Sequence, residues 1–300
     1  MKHFISADQF NRENLDELFD LTQDIVANPS KYSKSLEGKI VSVMFFEPST
    51  RTRLSFESAI LRLGGKLIAT ENAKTASSAS KGESLTDTIR ILQGYSDAIV
   101  MRHFDVDSSK VAASVANVPI INAGAGSGEH PTQALLDMYT IRESKGHFDG
   151  LKVAILGDLK YGRAIPSLLK LLSIYDNITI YALSKEAFSL PEEYIELMNK
   201  RNMKYVKCNS FSDIPKDVDV LYHTRIQRER FEGDFGKEEF IINEEVLNNF
   251  SENTILLHPL PRTEEISSDV DNNKRALFFK QAVNGMYVRM AILAKLLGKM

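Results

Sequence analysis

Cysteine is nearly absent: the 300-residue chain has one, Cys208. A single thiol excludes an intrachain disulfide framework and a multi-cysteine metal site. In the run MKYVKCNS it reads as a small side chain at a strand end. Long apolar runs are missing too, and none approaches the roughly 18 residues that a membrane span needs. The opening, MKHFISADQFNREN, turns polar within a few residues and lacks the apolar core of a signal peptide. Neither sign of charge dominates. The formal net charge of −3 gives no broad basic field for nucleic acid or an anionic membrane. There are no repeats and no GxxxxGK[ST] loop. These absences leave a soluble, cytoplasmic protein, long enough for two domains with sizeable cores.

What is there centres on Phe45 to Glu57, FFEPSTRTRLSFE. Val41 to Phe46 is a short β-branched, apolar run and reads as a buried strand. Pro48, Ser49 and Thr50 break it and offer capping hydroxyls. Leu54, Ala59, Ile60 and Leu63 then recur at helical spacing. The turn places Ser49, Thr50 and Thr52, with Arg51 and Arg53, around a helix N-terminus. The first amides of a helix point outward unpaired, and guanidinium forks match phosphate oxygens. The turn is therefore an anion site or, on a plainer reading, a capped helix with solvated arginines.

The rest of the chain repeats strand, turn and helix. Leu15, Leu18, Phe19 and Ile25 mark a first helix, capped by Asn11 or Asn14. After a strand from Lys66 to Thr70, the stretch ENAKTASSASKG is small and polar and carries Ser77 and Lys81 on a surface arm. A third strand ends in Arg102, where α/β proteins place ligand groups. A fourth leads through GAGSGEHPTQ into a helix. There His130 stands at the helix mouth with Gln133 one turn on, a pair able to hold a carbonyl and an amide. Lys145 to Gly150 reads as the domain boundary. The next strand-turn-helix, LKVAILGDLKYGR, invites a dinucleotide reading. It has two glycines rather than three, and the following strand lacks the ribose-binding acid, so the fingerprint fails. It leaves Arg163 at a helix mouth. VDVLYHT leads to Arg225 and Gln227, and TILLH runs into PLPRTEEI. Met286, Met290, Leu293 and Leu297 share one face of a C-terminal helix. The fold class is α/β, with two domains. Each is a Rossmann-like parallel sheet flanked by helices, over residues 1–145 and 146–284, with the helix 285–300 returning to the first.

Seven segments, FFEPSTRTRLSFE, KGESLTDTI, VMRH, GSGEHPTQALLD, GDLKYGR, TRIQRER and HPLPR, resemble the aspartate/ornithine carbamoyltransferase family, in order and along nearly the whole chain. The likeness is to its aspartate-using catalytic chains. The ornithine-using branch shares the STRTR and HPTQ turns but has an HCLP-type turn where this chain reads His258-Pro259-Leu260-Pro261-Arg262. It also has a loop for ornithine that is missing here. A carbamoyltransferase for another amine and a non-catalytic binding protein of the same fold are the alternatives.

The resemblance implies transfer of a carbamoyl group from carbamoyl phosphate to L-aspartate, early in pyrimidine biosynthesis, with no cofactor and no metal. It assigns Ser49, Thr50, Arg51 and Thr52 to the phosphate, and Arg102 to phosphate and carbonyl. Thr52 and a neutral His130 polarise the carbonyl oxygen. Gln133 and the Leu260 carbonyl, in the turn with Pro261, hold the carbamoyl amide. Lys81, Arg163, Arg225 and Gln227 hold aspartate. Ser77 and Lys81 reach a neighbouring subunit's site, and Glu47, Arg163 and Arg230 pair on domain closure. The implied assembly is a homotrimer. In some family members two trimers form a dodecamer through separate zinc-binding regulatory chains. No partner is a nucleic acid or a membrane.

Overall fold

The computed structural model describes residues 2–76, 78–126, 128–228 and 240–298. The chain divides into two compact units. One runs to Leu135 and resumes at Val283, and the other is Leu136–Ala282.

In the first unit α1 (Arg12–Ala27) begins at Asn11, whose side chain and that of Asn14 each accept the other's backbone N–H. Then come β1 (Ile40–Phe45), α2 (Thr50–Arg62), β2 (Lys66–Glu71), α3 (Ala73–Ala76), α4 (Leu85–Leu92), β3 (Ala98–His103), α5 (Ser108–Val115), β4 (Ile120–Ala125) and α6 (Pro131–Lys145). The four strands are parallel, in the order β2-β1-β3-β4. β3 and β4 are buried along their whole length, whereas β2 is an edge with exposed positions. Met44, Phe46, Ile89, Ile99, Met101 and Ile120 fill the core on one side of this sheet.

The second unit continues with β5 (Lys152–Gly157), α7 (Ala164–Leu172), β6 (Thr179–Leu183), α8 (Glu192–Lys200) and β7 (Lys204–Cys208). It closes with β8 (Val220–Thr224), α9 (Glu244–Asn248), β9 (Ile255–Leu257) and the start of α10 (Phe278–Leu297). Its five parallel strands run β7-β6-β5-β8-β9. Leu156, Leu183, Leu221, Leu256 and Phe278 build its core. Cys208 does end a strand. Burial, helped by Asp213, pushes its thiol up to about 11, so it stays protonated and inert at neutral pH.

The two compact units divide between Leu135 and Leu136, inside α6 and ahead of the glycine-containing turn after residue 145. The reason is Asp137, which is fully buried and accepts hydrogen bonds from Tyr222 Oη (2.8 Å) and Gln281 Nε2 (2.6 Å), so the later turns of α6 belong to the second unit. The last strand stops at Leu257, and the next N–H, that of His258, donates to the Gln281 side chain (2.9 Å). Among the described residues no helix is long and apolar enough to cross a membrane.

Candidate active site

Both sheets start at a central strand, grow to one side, then cross back. The first reverses between β1 and β3 and the second between β5 and β8. A crevice beyond the carboxyl ends of the strands at such a reversal is where open α/β sheets bind ligands. Arg51 follows β1 and Arg102 lies near the end of β3 at the first reversal, and Arg163 follows β5 and Arg225 follows β8 at the second, whereas His130 and Gln133 follow β4 and Leu260 follows β9.

In the first unit the Phe46 N–H donates to the Arg102 carbonyl (2.8 Å), which holds the end of β1 against that of β3. Ser49 is the N-cap of α2 in an extended conformation, with no side-chain cap hydrogen bond among the described residues. An N-cap serine ordinarily spends its oxygen on the amides of the first turn. Here the hydroxyl makes no such bond, and a helix N-terminus of this kind suits an anion. Thr50 and Arg51 are exposed, and Thr52 is buried. Arg53 faces elsewhere: its guanidinium lies 3.3 Å from Glu57 and 3.2 Å from Glu71, so it braces α2 against the end of β2.

Arg102 is 7% exposed. Its Nε lies 3.2 Å from Glu47, and Nη1 reaches the Ala123 carbonyl at 3.5 Å. A buried guanidinium needs such a counter-charge. Glu47, which the resemblance reserves for domain closure, is therefore also a neighbour of Arg102. His130 is buried at the mouth of α6, and its carbonyl accepts the N–H groups of Gln133 (2.9 Å) and Ala134 (3.2 Å). Gln133 is half-buried on the next turn.

The loop before His130 is pinned by a residue the sequence did not single out. The Glu129 carboxylate accepts the Ser6 hydroxyl and the Ala7 N–H, both at 2.9 Å. Gly126, at φ +51°, lets this loop pass the Phe104 carbonyl, which a Cβ would meet at 2.8 Å. From α10, Arg289 is 3% exposed, stacks over Phe56 at 5.0 Å and reaches the Thr132 hydroxyl at 3.5 Å. It adds a cation beside the first turn of α6. Lys81 lies exposed at the end of a 3₁₀ turn, Ser78–Lys81. Ser77 and Arg230 lie outside the described residues.

In the second unit Gly157, at φ +95°, admits the end of β8 so closely that a Cβ would lie 1.9 Å from the Thr224 carbonyl. The next residue, Asp158, is fully buried. Its Oδ1 accepts the N–H groups of Lys160 (3.1 Å) and Tyr161 (2.9 Å), and its Oδ2 accepts that of Gln227 (3.0 Å). One carboxylate thus ties the loop carrying Arg163 to the segment carrying Arg225 and Gln227. Thr224 reinforces the tie by donating to the Leu156 or Asp158 carbonyl, each at 3.1 Å. Arg163 and Arg225 are half-buried. Arg225 Nη1 donates to the Ile226 carbonyl (3.0 Å), which fixes the base of its guanidinium.

The turn after β9 has Leu260 at φ +57°, followed by a cis bond to Pro261. The Leu260 N–H donates to His258 Nδ1 (2.8 Å), so the ring proton is on Nε2, which lies 2.9 Å from Glu265. Glu265 also accepts the N–H of Thr263 (3.0 and 3.1 Å) and its hydroxyl (2.7 Å). Burial pushes the Glu265 carboxyl up, but the contacts with His258 and Thr263 outweigh it and hold it down at about 2. Arg262 pairs with both oxygens of Asp271 and stacks on Phe278 at 5.1 Å. Among the described residues no three His, Cys, Asp or Glu side chains form a group that could hold a metal ion.

The chain matches two known domain models in succession. Residues 2–143 match the aspartate/ornithine carbamoyltransferase carbamoyl-P binding domain, and residues 149–296 match the Asp/Orn binding domain of the same proteins. The aspartate carbamoyltransferase catalytic subunit of Clostridium novyi is 47% identical, covering 99% of this chain and 98% of that one. The chloroplastic aspartate carbamoyltransferase of Arabidopsis thaliana is 45% identical, over 98% of this chain and 77% of that protein. Among solved structures, Trypanosoma cruzi aspartate transcarbamoylase with carbamoyl phosphate and aspartate superimposes with a TM-score of 0.92. It is 39% identical, covering 99% and 97% of the two chains. The catalytic subunit of M. jannaschii aspartate transcarbamoylase gives a TM-score of 0.91 at 45% identity, covering 99% and 98%. The chain belongs to the aspartate/ornithine carbamoyltransferase family.

Proposed function

We propose that this chain transfers the carbamoyl group of carbamoyl phosphate to the amino group of L-aspartate, giving N-carbamoyl-L-aspartate and phosphate. The observation that carries the reading is the buried Asp158 bridge. It gathers Arg163, Arg225 and Gln227 at one strand reversal, and two guanidiniums there suit a dicarboxylic acid rather than a cationic amine. In the first unit the uncapped start of α2, Arg51 and Arg102 receive the phosphate.

The chemistry follows from charge. The neutral amine of aspartate attacks the carbamoyl carbon, a C–N bond forms, and the carbonyl oxygen becomes negative. Arg102, Thr52 and His130 are directed at that oxygen, where fixed donors lower the barrier most. Gln133 and the Leu260 carbonyl orient the carbamoyl amide, and Lys81 adds a cation from a neighbouring subunit. Collapse breaks the C–O bond to phosphate, which departs with the amine proton. Phosphate monoesters have a second pKa near 6, about right for that proton, so no side-chain base is required.

The same reading makes the chain a cytoplasmic homotrimer that serves pyrimidine synthesis. It leaves any zinc or nucleotide site to a separate regulatory polypeptide. The exposed edge strand β2, with Ile68, and the exposed Leu54 and Leu61 one heptad apart on α2 support self-association. A ureido-specific colour assay tests the activity. Carbamoyl phosphate with aspartate gives product, and product with ornithine instead of aspartate overturns the assignment.

A further inference from the structure

Leu260 is one of four non-glycine residues with positive φ among the described residues, and the other three are asparagines. Asparagine tolerates the left-handed region. A branched apolar side chain does so only when its surroundings over-determine it. Here they do. At the start of the turn, His258 Nδ1 accepts the Leu260 N–H at 2.8 Å. At its end, Glu265 accepts both donors of Thr263. The two anchors touch, with His258 Nε2 2.9 Å from Glu265, and both side chains are fully buried. The backbone N–H of His258 is fixed in turn by Gln281, and Gln281 by Asp137. None of these groups has a task in the transfer chemistry itself.

We propose that His258, held by Glu265, is a positioning residue that locks Leu260 in its left-handed conformation and so aims the Leu260 carbonyl at the carbamoyl N–H. The inference rests on the proposed function and deepens it, because this clamp tells a carbamoyl donor from another acyl phosphate. A carbamoyl group offers N–H to the carbonyl, whereas an acetyl group offers only C–H. A site with a fixed acceptor rejects the analogue that cannot donate.

The test compares carbamoyl phosphate, by its KM at saturating aspartate, with acetyl phosphate, by its Ki as a competitor. His258→Gln places an amide near the Nε2 position but has no acceptor at the Nδ1 position. His258→Asn keeps an oxygen there. The expected result is that His258→Gln weakens carbamoyl phosphate about tenfold, one hydrogen bond's worth, and leaves acetyl phosphate unchanged, while His258→Asn keeps most of the preference. Equal weakening of both ligands, or an unchanged ratio, overturns the inference. If His258→Gln does not fold, Thr263→Val removes one donor to Glu265 at an exposed position. It moves the ratio the same way by a smaller factor, and a fixed ratio there is equally fatal. Absence of turnover in the unmodified protein instead sinks the functional reading. Turnover without any preference for carbamoyl over acetyl phosphate spares that reading and overturns the clamp.

Discussion

At the scale of residues, neighbours decide which arginines can serve a ligand. Arg51 and Arg53 lie two apart in one motif and are indistinguishable in sequence. In the structure Arg53 is shared between Glu57 and Glu71, while Arg102 is buried at the strand reversal. Replacing Arg51 or Arg102 by Ala is expected to lower kcat/KM for carbamoyl phosphate by roughly 1.5–3 kcal/mol, the range for hydrogen bonds to charged groups. Arg53→Ala is expected to cost activity much less and to lower the urea midpoint, since its guanidinium is committed to Glu57 and Glu71. Steady-state kinetics on the three variants checks this, and equal losses would mean that Arg53 also binds phosphate. In the second unit, Arg225→Ala is expected to raise the KM for aspartate and leave carbamoyl phosphate binding nearly intact. Direct titration of the variant with carbamoyl phosphate checks that separation.

The elements themselves were largely legible. β-branched runs such as Val41 to Phe46, hydroxyls at a helix start and the spacing of His130 from Gln133 are local signals, and β1, α2 and α6 formed where they pointed. The acids that fix the site were not legible. Asp158, Glu129 and Glu265 look like ordinary loop carboxylates, because their partners lie 69, 122 and 7 residues away and meet them only after folding. Glu265 also sets a pH dependence. Its folded-state carboxyl sits at about 2 against an ordinary 4.5. The depressed value means that its stabilisation is complete above pH 4.5 and is lost as the pH falls towards 2. Glu265→Gln is expected to be less stable at pH 7 and to lose less stability on acidification. Urea midpoints of both proteins between pH 7 and 3 give the comparison, and parallel curves would remove the carboxylate from the acid transition.

On the scale of the whole molecule, Lys81 poses the remaining problem. It is exposed at the end of a short 3₁₀ turn, although the proposed mechanism has a use for its charge. The proposed homotrimer would resolve this through a shared site, with each Lys81 serving the chain next to it. Lys81→Ala and His130→Ala homotrimers should then each be nearly inactive, the first lacking the donated group and the second the receiving one. Unfolding the two together and reassembling them at equal ratio combines an intact His130 from one chain with an intact Lys81 from its neighbour in about one site in four, for random assembly of a closed ring. If Lys81 serves its own chain's site, every site keeps one defect and mixing restores nothing. Each variant refolded alone through the same steps supplies the baseline. Activity of the mixture well above both baselines is the expected outcome, and activity equal to their mean would place Lys81 in its own chain's site.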